Sequence, residues 1–162
     1  RRRGYKTVPL RPLMYGGGQE RGLRPGTMPV QLAVGLGVAA AMAQKEHRKR
    51  EEMCLDIRAA ALDALKDLNP VIHGDPNFVV PHVLNVSLPG IDAEAAMVAL
   101  KGIAAISNGS ACTSHSYKPS HVLAAMGLND DEVSTSLRIS WCHLTEDFDW
   151  SEIGDSLMNI RR

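Results

Sequence analysis

The 162-residue chain is long enough for one ordinary domain with a sizeable core, or for one domain and part of another. With 44% hydrophobic and 22% charged residues, its composition is that of a globular protein and excludes a disordered chain. The 18 basic and 18 acidic residues cancel, which excludes the strong basic excess that is typical of nucleic-acid-binding domains.

Glycines dominate the first distinctive stretch, residues 16–27. The segment GGGQERGLRPGT contains five glycines and one proline, and this composition predicts a shaped loop instead of a regular element. Because proline suits the first helical turn, Pro29 predicts a helix start with Thr27 as its N-cap. The helix is apolar on nearly all sides as far as Met42, which predicts burial on more than one face.

A polar stretch, residues 44–52, interrupts this apolar pattern. Apolar residues then return at helical spacing, which predicts one long helix, or two helices with a bend, reaching Leu68. Since the two halves would lie in different packing environments, a domain boundary is expected near His47.

Helices and short strands alternate in the remainder of the chain, which predicts an α/β or α+β fold. Asp92 is predicted to cap a helix, and Gly127 to end another that begins at Pro119. A further helix is expected to open at Asn129, and the last one at Thr145. Period-two alternation, or a short apolar run, predicts strands within 82–90, 103–106 and 137–141.

The three cysteines, Cys54, Cys112 and Cys142, favour free thiols, because a disulfide framework normally needs an even number. Reduced thiols are typical of the cytoplasm, which is the predicted location. Neither these residues nor the six histidines show zinc-ligand spacing or any other grouping, so no metal site is predicted. The apolar run 29–43 is shorter than the roughly 20 residues of a membrane-spanning helix, so no membrane association is expected.

Cys112 lies among small and hydroxyl-bearing residues, in a stretch where a surface loop is expected. Such surroundings suit a nucleophile on a mobile segment, provided that the thiolate is favoured, and His115 and Lys118 are nearby in sequence. The alternative is a loop thiol without a function. Cys54 is flanked by Met53 and Leu55, and we interpret it as a packing residue.

Two long segments resemble those of a known enzyme family. They read YGGGQERGLRPGT (15–27) and SNGSACTSHSYKPSHVLAAMGL (107–128), and the similarity continues through VLNVSL and LNDDEVSTSLRIS. The chain resembles the C-terminal portion of the NifS/IscS-type cysteine desulfurases, which are pyridoxal-phosphate enzymes of aminotransferase fold type I, class V. This implies an α/β fold in which residues 1–47 end the large cofactor-binding domain and begin a linking helix. Residues 48–162 would form an α+β small domain, with helices packed on a short-stranded sheet.

The resemblance also implies roles for three residues. Cys112 would be the nucleophile that takes sulfur from L-cysteine, leaving L-alanine and a persulfide. Thr27 would reach the phosphate of pyridoxal phosphate in the partner of a homodimer, although a simple N-cap is an alternative and both could hold. Arg138 would bind the substrate carboxylate, a role suited to a forked guanidinium, whereas strand arginines are otherwise mostly surface residues.

The same resemblance implies that sulfur passes to an iron–sulfur scaffold or another acceptor protein. The lysine that holds the cofactor covalently in the family has no counterpart here, so the chain alone is expected to be inactive. The stretch SWCHLT departs from the family pattern at Cys142, which indicates a divergent subgroup. A selenocysteine lyase-type enzyme and a non-catalytic dimerisation or partner-binding domain are the alternatives. The lysines considered are Lys6, Lys45, Lys49, Lys66, Lys101 and Lys118.

Overall fold

The longest element is a single helix, α1 (Val30–Leu65), in a computed structural model that describes residues 10–108, 120–146 and 148–161. Its first turn forms after Pro29, whose carbonyl oxygen accepts a hydrogen bond from the Ala33 N–H at 3.0 Å. The helix therefore begins three residues after Thr27, and Thr27 is not the capping residue that the sequence predicts. A short 3-10 turn, Lys66–Leu68, follows α1.

The chain divides into two units, Arg1–Lys45 and Glu46–Arg162. In the described part of the first unit, the apolar residues of α1 are exposed, from 47% for Met42 to 74% for Leu32. The predicted burial of this segment is thus wrong for the chain as described, because a pattern of apolar residues does not itself supply the surface that covers them. Within the described residues, no helix is long and apolar enough to cross a membrane. The assignment of residues 1–47 and 48–162 to a large and a small domain stays a prediction.

An antiparallel sheet lies in the second unit. In the described residues it has three strands in the order β1 (Val71–Ile72), β2 (Val83–Ser87) and β3 (Ser136–Ser140). Leu84 pairs with Ile139, and Val86 with Leu137, so one face of the sheet is apolar and buried. The two-residue strand β1 is too short to be recognised from its sequence.

Four shorter helices accompany the sheet in the described residues: α2 (Ala93–Ala99), α3 (His121–Ala125), α4 (Asp130–Ser134) and α5 (Trp150–Met158). The predicted caps of α2 and α4 are confirmed, since Asp92 and Asn129 each accept backbone N–H bonds. Helix α3 ends before Gly127, as predicted.

Besides the Thr27 cap, two more predictions of secondary structure are wrong. Residues 101–103 form a turn and 104–106 no regular element, so the expected strand 103–106 is absent. Helix α5 begins five residues after Thr145, because Asp149 is its cap and accepts the Ser151 N–H at 3.0 Å. The Thr145 hydroxyl oxygen instead accepts the Cys142 N–H at 3.0 Å.

The core of the second unit lies between the apolar face of the sheet, the end of α1, and helices α2 and α5. Helix α5 approaches α1 closely at Gly154, where a Cβ atom would lie 2.6 Å from the carbonyl oxygen of Ala64. Two hydrogen bonds join α1 to the sheet region: Arg58 Nη1 donates to Val83 O at 2.8 Å, and Trp141 Nε1 to Cys54 O at 3.0 Å. These contacts fix β3, which carries Arg138.

Candidate functional site

Arg138 lies at the centre of β3 with its side chain exposed. Leu137 and Ile139 are buried on the opposite face, as the alternation of apolar and polar residues predicts. The guanidinium is therefore available to an anionic ligand, and its fork of N–H donors matches a carboxylate.

The backbone of Arg138 pairs with neighbours on both sides. On one side it lies opposite Asn85 of β2. On the other side its N–H donates to Ser107 O at 2.6 Å, while the Ser107 N–H donates to Arg138 O at 3.1 Å. Ser107 precedes Cys112 by five residues. The structure thus brings Arg138 together with the start of the segment that carries the predicted nucleophile.

Cys112 itself lies outside the described residues, as do His115 and Lys118. Ser120 is the first described residue after this segment, and its hydroxyl oxygen caps α3 by accepting the Leu123 N–H at 3.4 Å. The predicted role of Cys112 therefore stays a prediction.

On the same face of the sheet as Arg138, a partly buried polar network joins β2, β3 and the residue after β1 to α4. Asn85 Oδ1 lies 2.6 Å from His73 Nδ1 and accepts the Ser136 hydroxyl at 3.2 Å. Ser87 Oγ lies 3.0 Å from His73 Nε2 and also donates to Glu132 O. Asn85 lies opposite Arg138 on the neighbouring strand, and Ser136 lies two residues before Arg138 on the same strand. Because the network bonds both residues, it stabilises the pairing of β2 with β3 that exposes the Arg138 guanidinium.

Sequence reasoning missed the network, because His73 shows no partner at nearby positions. The alternation in β2 did contain a signal. Asn85 and Ser87 occupy successive positions on the face opposite the apolar residues, which is compatible with a second, polar layer. The histidine that completes this layer directly follows β1, and its proximity to Asn85 and Ser87 follows only from the tertiary fold.

Thr27, the predicted cofactor residue, belongs to the first unit and is exposed. Side-chain hydrogen bonds help to hold the loop before it: Gly26 N–H donates to Gln19 Oε1 at 3.2 Å, and Arg24 Nη1 to the carbonyl oxygen of Thr27 at 3.4 Å. Within the loop, Glu20 and Arg21 have positive φ in a 3-10 turn, Gln19–Gly22. A hydroxyl beside an arginine, close before the start of a long helix, is a chemically suitable set of donors for a phosphate group.

A cavity of about 420 Å³ lies entirely in the second unit. We call it the thiol cavity, since it brings together both described cysteines, Cys54 and Cys142. Three histidines that show no grouping in the sequence share the cavity wall. Within the described residues, however, no group of His, Cys, Asp or Glu has an arrangement that could hold a metal ion. The lining residues are His47, Arg50, Glu51, Cys54, Pro81, His82, Cys142 and His143.

The two thiols differ in their surroundings. Cys54 is 6% exposed and packs in the core, as its apolar neighbours predict. Burial raises the pKa of the Cys54 thiol, and the nearby Cys142 raises it further. Cys142 is exposed, and its Sγ accepts the Leu144 N–H at 3.4 Å within a turn.

Lys66 is one of the described lysines, and its partner is the nearby Asp63 of α1. Its ammonium group donates to Asp63 Oδ1 at 2.9 Å, and this bond raises the pKa of Lys66. Lys45, Lys49 and Lys101 are exposed.

Comparison with known proteins places these features in a family context. The family model "Aminotransferase class-V" matches residues 6–149. Cysteine desulfurase IscS of Vibrio cholerae serotype O1 is 44% identical over 139 residues, which are 85% of this chain and 34% of that protein. The chain thus spans about a third of the length of this curated relative.

Two solved structures are similar in fold. DndA from Streptomyces lividans is 45% identical with a TM-score of 0.63, over 83% of this chain and 38% of that one. A NifS-like protein from Rickettsia africae is 25% identical with a TM-score of 0.73, over 94% of this chain and 40% of that one. The similarity confirms the predicted fold of helices with a small sheet.

Proposed function

The chain belongs to the class-V aminotransferase family, and from this membership we propose that it is the C-terminal part of a cysteine desulfurase. The whole enzyme would remove sulfur from L-cysteine, releasing L-alanine and leaving a persulfide on Cys112. In this proposal residues 1–47 end the large domain and residues 48–162 form the small domain.

The observation that carries the proposal is the pairing of Ser107 with Arg138. Five residues of extended chain reach at most about 18 Å, so covalent geometry keeps Cys112 within that distance of Ser107. A substrate held at the Arg138 guanidinium by its α-carboxylate would therefore lie within reach of the nucleophile. The backbone pairing with Ser107 and the polar network at Asn85 support this arrangement, because they would hold Arg138 in its place on the strand.

Pyridoxal phosphate, when bound, withdraws electrons from the substrate and so weakens its carbon–sulfur bond. From this chain, the Thr27 hydroxyl would contact its phosphate group across a homodimer. The covalent lysine would come from a part of the enzyme beyond this chain, so the chain alone would not turn over L-cysteine.

Cys112 would attack the substrate sulfur as a thiolate, since the thiol is a poor nucleophile. A persulfide on a polar segment is then positioned to meet a second protein. We propose that the acceptor is an iron–sulfur scaffold or a thiolation protein, and that the exchange takes place in the cytoplasm.

The test is an assay of alanine and sulfide release from L-cysteine, using the enzyme that carries this chain, loaded with pyridoxal phosphate. Because a charged hydrogen bond contributes about 1.5–3 kcal/mol, Arg138→Ala should raise KM by about 10- to 100-fold. Arg48→Ala, an exposed arginine of α1, is the matched control and should leave KM unchanged. Cys112→Ser should abolish persulfide transfer, and Thr27→Ala should weaken cofactor retention.

Different failures of this test contradict different parts of the proposal. An unchanged KM for Arg138→Ala would refute the carboxylate contact, and persulfide transfer by Cys112→Ser would refute the nucleophile. Absence of alanine from the unmodified enzyme would refute the reaction itself.

A further inference from the structure

We propose that the thiol cavity is a modification site for low-molecular-weight disulfides, in which Cys142 reacts first and Cys54 then displaces the adduct to form a Cys54–Cys142 disulfide. The proposal uses neither Cys112 nor Arg138. It therefore stands or falls independently of the desulfurase reaction.

The fold brings Cys54 and Cys142 together, and this proximity supports the proposal. Cys54 lies on α1, and Cys142 follows β3 by two residues. The Trp141 indole donates to the carbonyl oxygen of Cys54 at 3.0 Å, so the residue adjacent to Cys142 is bonded to the backbone of Cys54 itself. Both side chains then line the same cavity of about 420 Å³.

The order of reaction follows from exposure. Cys142 lies on the surface, in a turn closed by the Thr145 N–H, which donates to Cys142 O at 3.0 Å. An incoming disulfide can therefore reach its sulfur. Cys54 is 6% exposed and its thiol is kept protonated by burial, so it is a poor first nucleophile.

The two steps balance as thiol–disulfide exchange. The Cys142 thiolate attacks one sulfur of RSSR, forming a mixed disulfide and releasing RS⁻. The Cys54 thiolate then attacks the Cys142 sulfur, forming the protein disulfide and releasing the second RS⁻. Two protein thiols are oxidised, each losing one proton, and one molecule of RSSR is reduced to two thiols.

The cavity wall favours this chemistry over metal binding. Its donors include three imidazoles and two thiols, yet no set of them is arranged to hold a metal ion in the described residues. Arg50 lines the wall as well, while its guanidinium is bonded to Glu46 at 2.7 Å. The wall therefore offers two thiols without a preformed coordination site in the described residues.

The experiment exposes the folded full chain, in a Cys112→Ser background, to oxidised glutathione as the probe. Remaining thiols are blocked with N-ethylmaleimide, and peptides are identified by mass spectrometry. We expect the Cys54 and Cys142 peptides to be joined, with the intact mass lower by two hydrogen atoms. In Cys54→Ala, Cys142 should accumulate as the glutathione mixed disulfide.

The control variant is Cys142→Ser, in which the Cys54 thiol should react at least about tenfold more slowly than in the parent, because nothing else delivers the disulfide to it. Equal reactivity of Cys54 in this variant would overturn the proposal. Stable mixed disulfides on both cysteines of the parent, or no modification of Cys142, would also overturn it. Reaction of both variants after denaturation verifies that the probe itself is active.

Discussion

The two halves of α1 differ in what surrounds them. Residues 30–45 are exposed on every side although most are apolar, whereas the second half contributes Cys54, Ala61 and Leu65 to the core. One continuous helix thus passes through two environments. The comparison shows that helix formation is set by the local sequence, while the stabilising value of an apolar side chain depends on the elements that cover it.

The largest expected loss of stability comes from a Leu→Ala substitution, which can be made in both halves of α1 and so tests the comparison. Leu65→Ala should lower the free energy of unfolding by about 2–5 kcal/mol, because it leaves a cavity in the core. Leu36→Ala, at a leucine that is 73% exposed, should change it by less than about 0.5 kcal/mol. Urea denaturation followed by tryptophan fluorescence reports on the second unit, where Trp141 and Trp150 lie. Similar losses for the two variants would contradict the comparison.

Polar side chains of the two units should also differ in how much their removal lowers the free energy of unfolding. Asn85→Ala removes the partner of His73 Nδ1 and of the Ser136 hydroxyl, and each buried group left without a partner costs about 1–3 kcal/mol. Gln19→Ala removes an exposed bond to Gly26 and should cost less than about 0.5 kcal/mol. Thermal unfolding measures both losses, and a cost for Gln19→Ala as large as that for Asn85→Ala would count against the distinction.

Two glycines test the comparison further, because a Gly→Ala substitution should lower the free energy of unfolding at one of them and not at the other. Gly154→Ala should destabilise by about 1–3 kcal/mol, since its Cβ would lie 2.6 Å from Ala64 O between α5 and α1. Gly37 lies in the exposed half of α1 with nothing within 4 Å of an added Cβ. Gly37→Ala should therefore leave stability unchanged or raise it by up to about 1 kcal/mol, through helix propensity alone. Helical circular dichroism during denaturation tests both; destabilisation by Gly37→Ala would show an unseen steric contact.

Sequence reasoning predicted elements well where a local signal exists. Asp92 and Asn129 cap their helices as expected, and the alternation around Arg138 gave the correct buried face. Reasoning was wrong where a competing local bond decides the outcome, as at Thr145, whose hydroxyl closes a turn at Cys142 instead of starting a helix.

The candidate site was predictable only in part, because its residues are brought together by long-range contacts and not by a local signal. The role of Arg138 came from a resemblance, but its pairing with Ser107 depends on residues that are 31 positions apart in the sequence. The same holds for Cys54 and Cys142, which share a cavity across 88 positions. No periodicity encodes such long-range pairs, because they follow from how the elements pack.

The smallest predicted effect lies where the second unit begins. Arg50 donates to Glu46 Oε2 through Nε at 3.1 Å and Nη2 at 2.7 Å, and this hydrogen bonding, together with the guanidinium charge, holds the pKa of Glu46 below its ordinary value of 4.5. A lowered carboxyl pKa in the folded state means that the pair stabilises above pH 4.5 and that this stabilisation is lost as the pH falls through the lowered value.

Glu46→Gln should therefore be slightly less stable than the parent at pH 7 and equal to it in strong acid. Because the pair is only half-buried, added salt should shrink the difference. Arg50→Gln should give the same loss, and the double variant no more than either single one. A difference that persists unchanged in acid would show that Glu46 acts through packing and not through its charge.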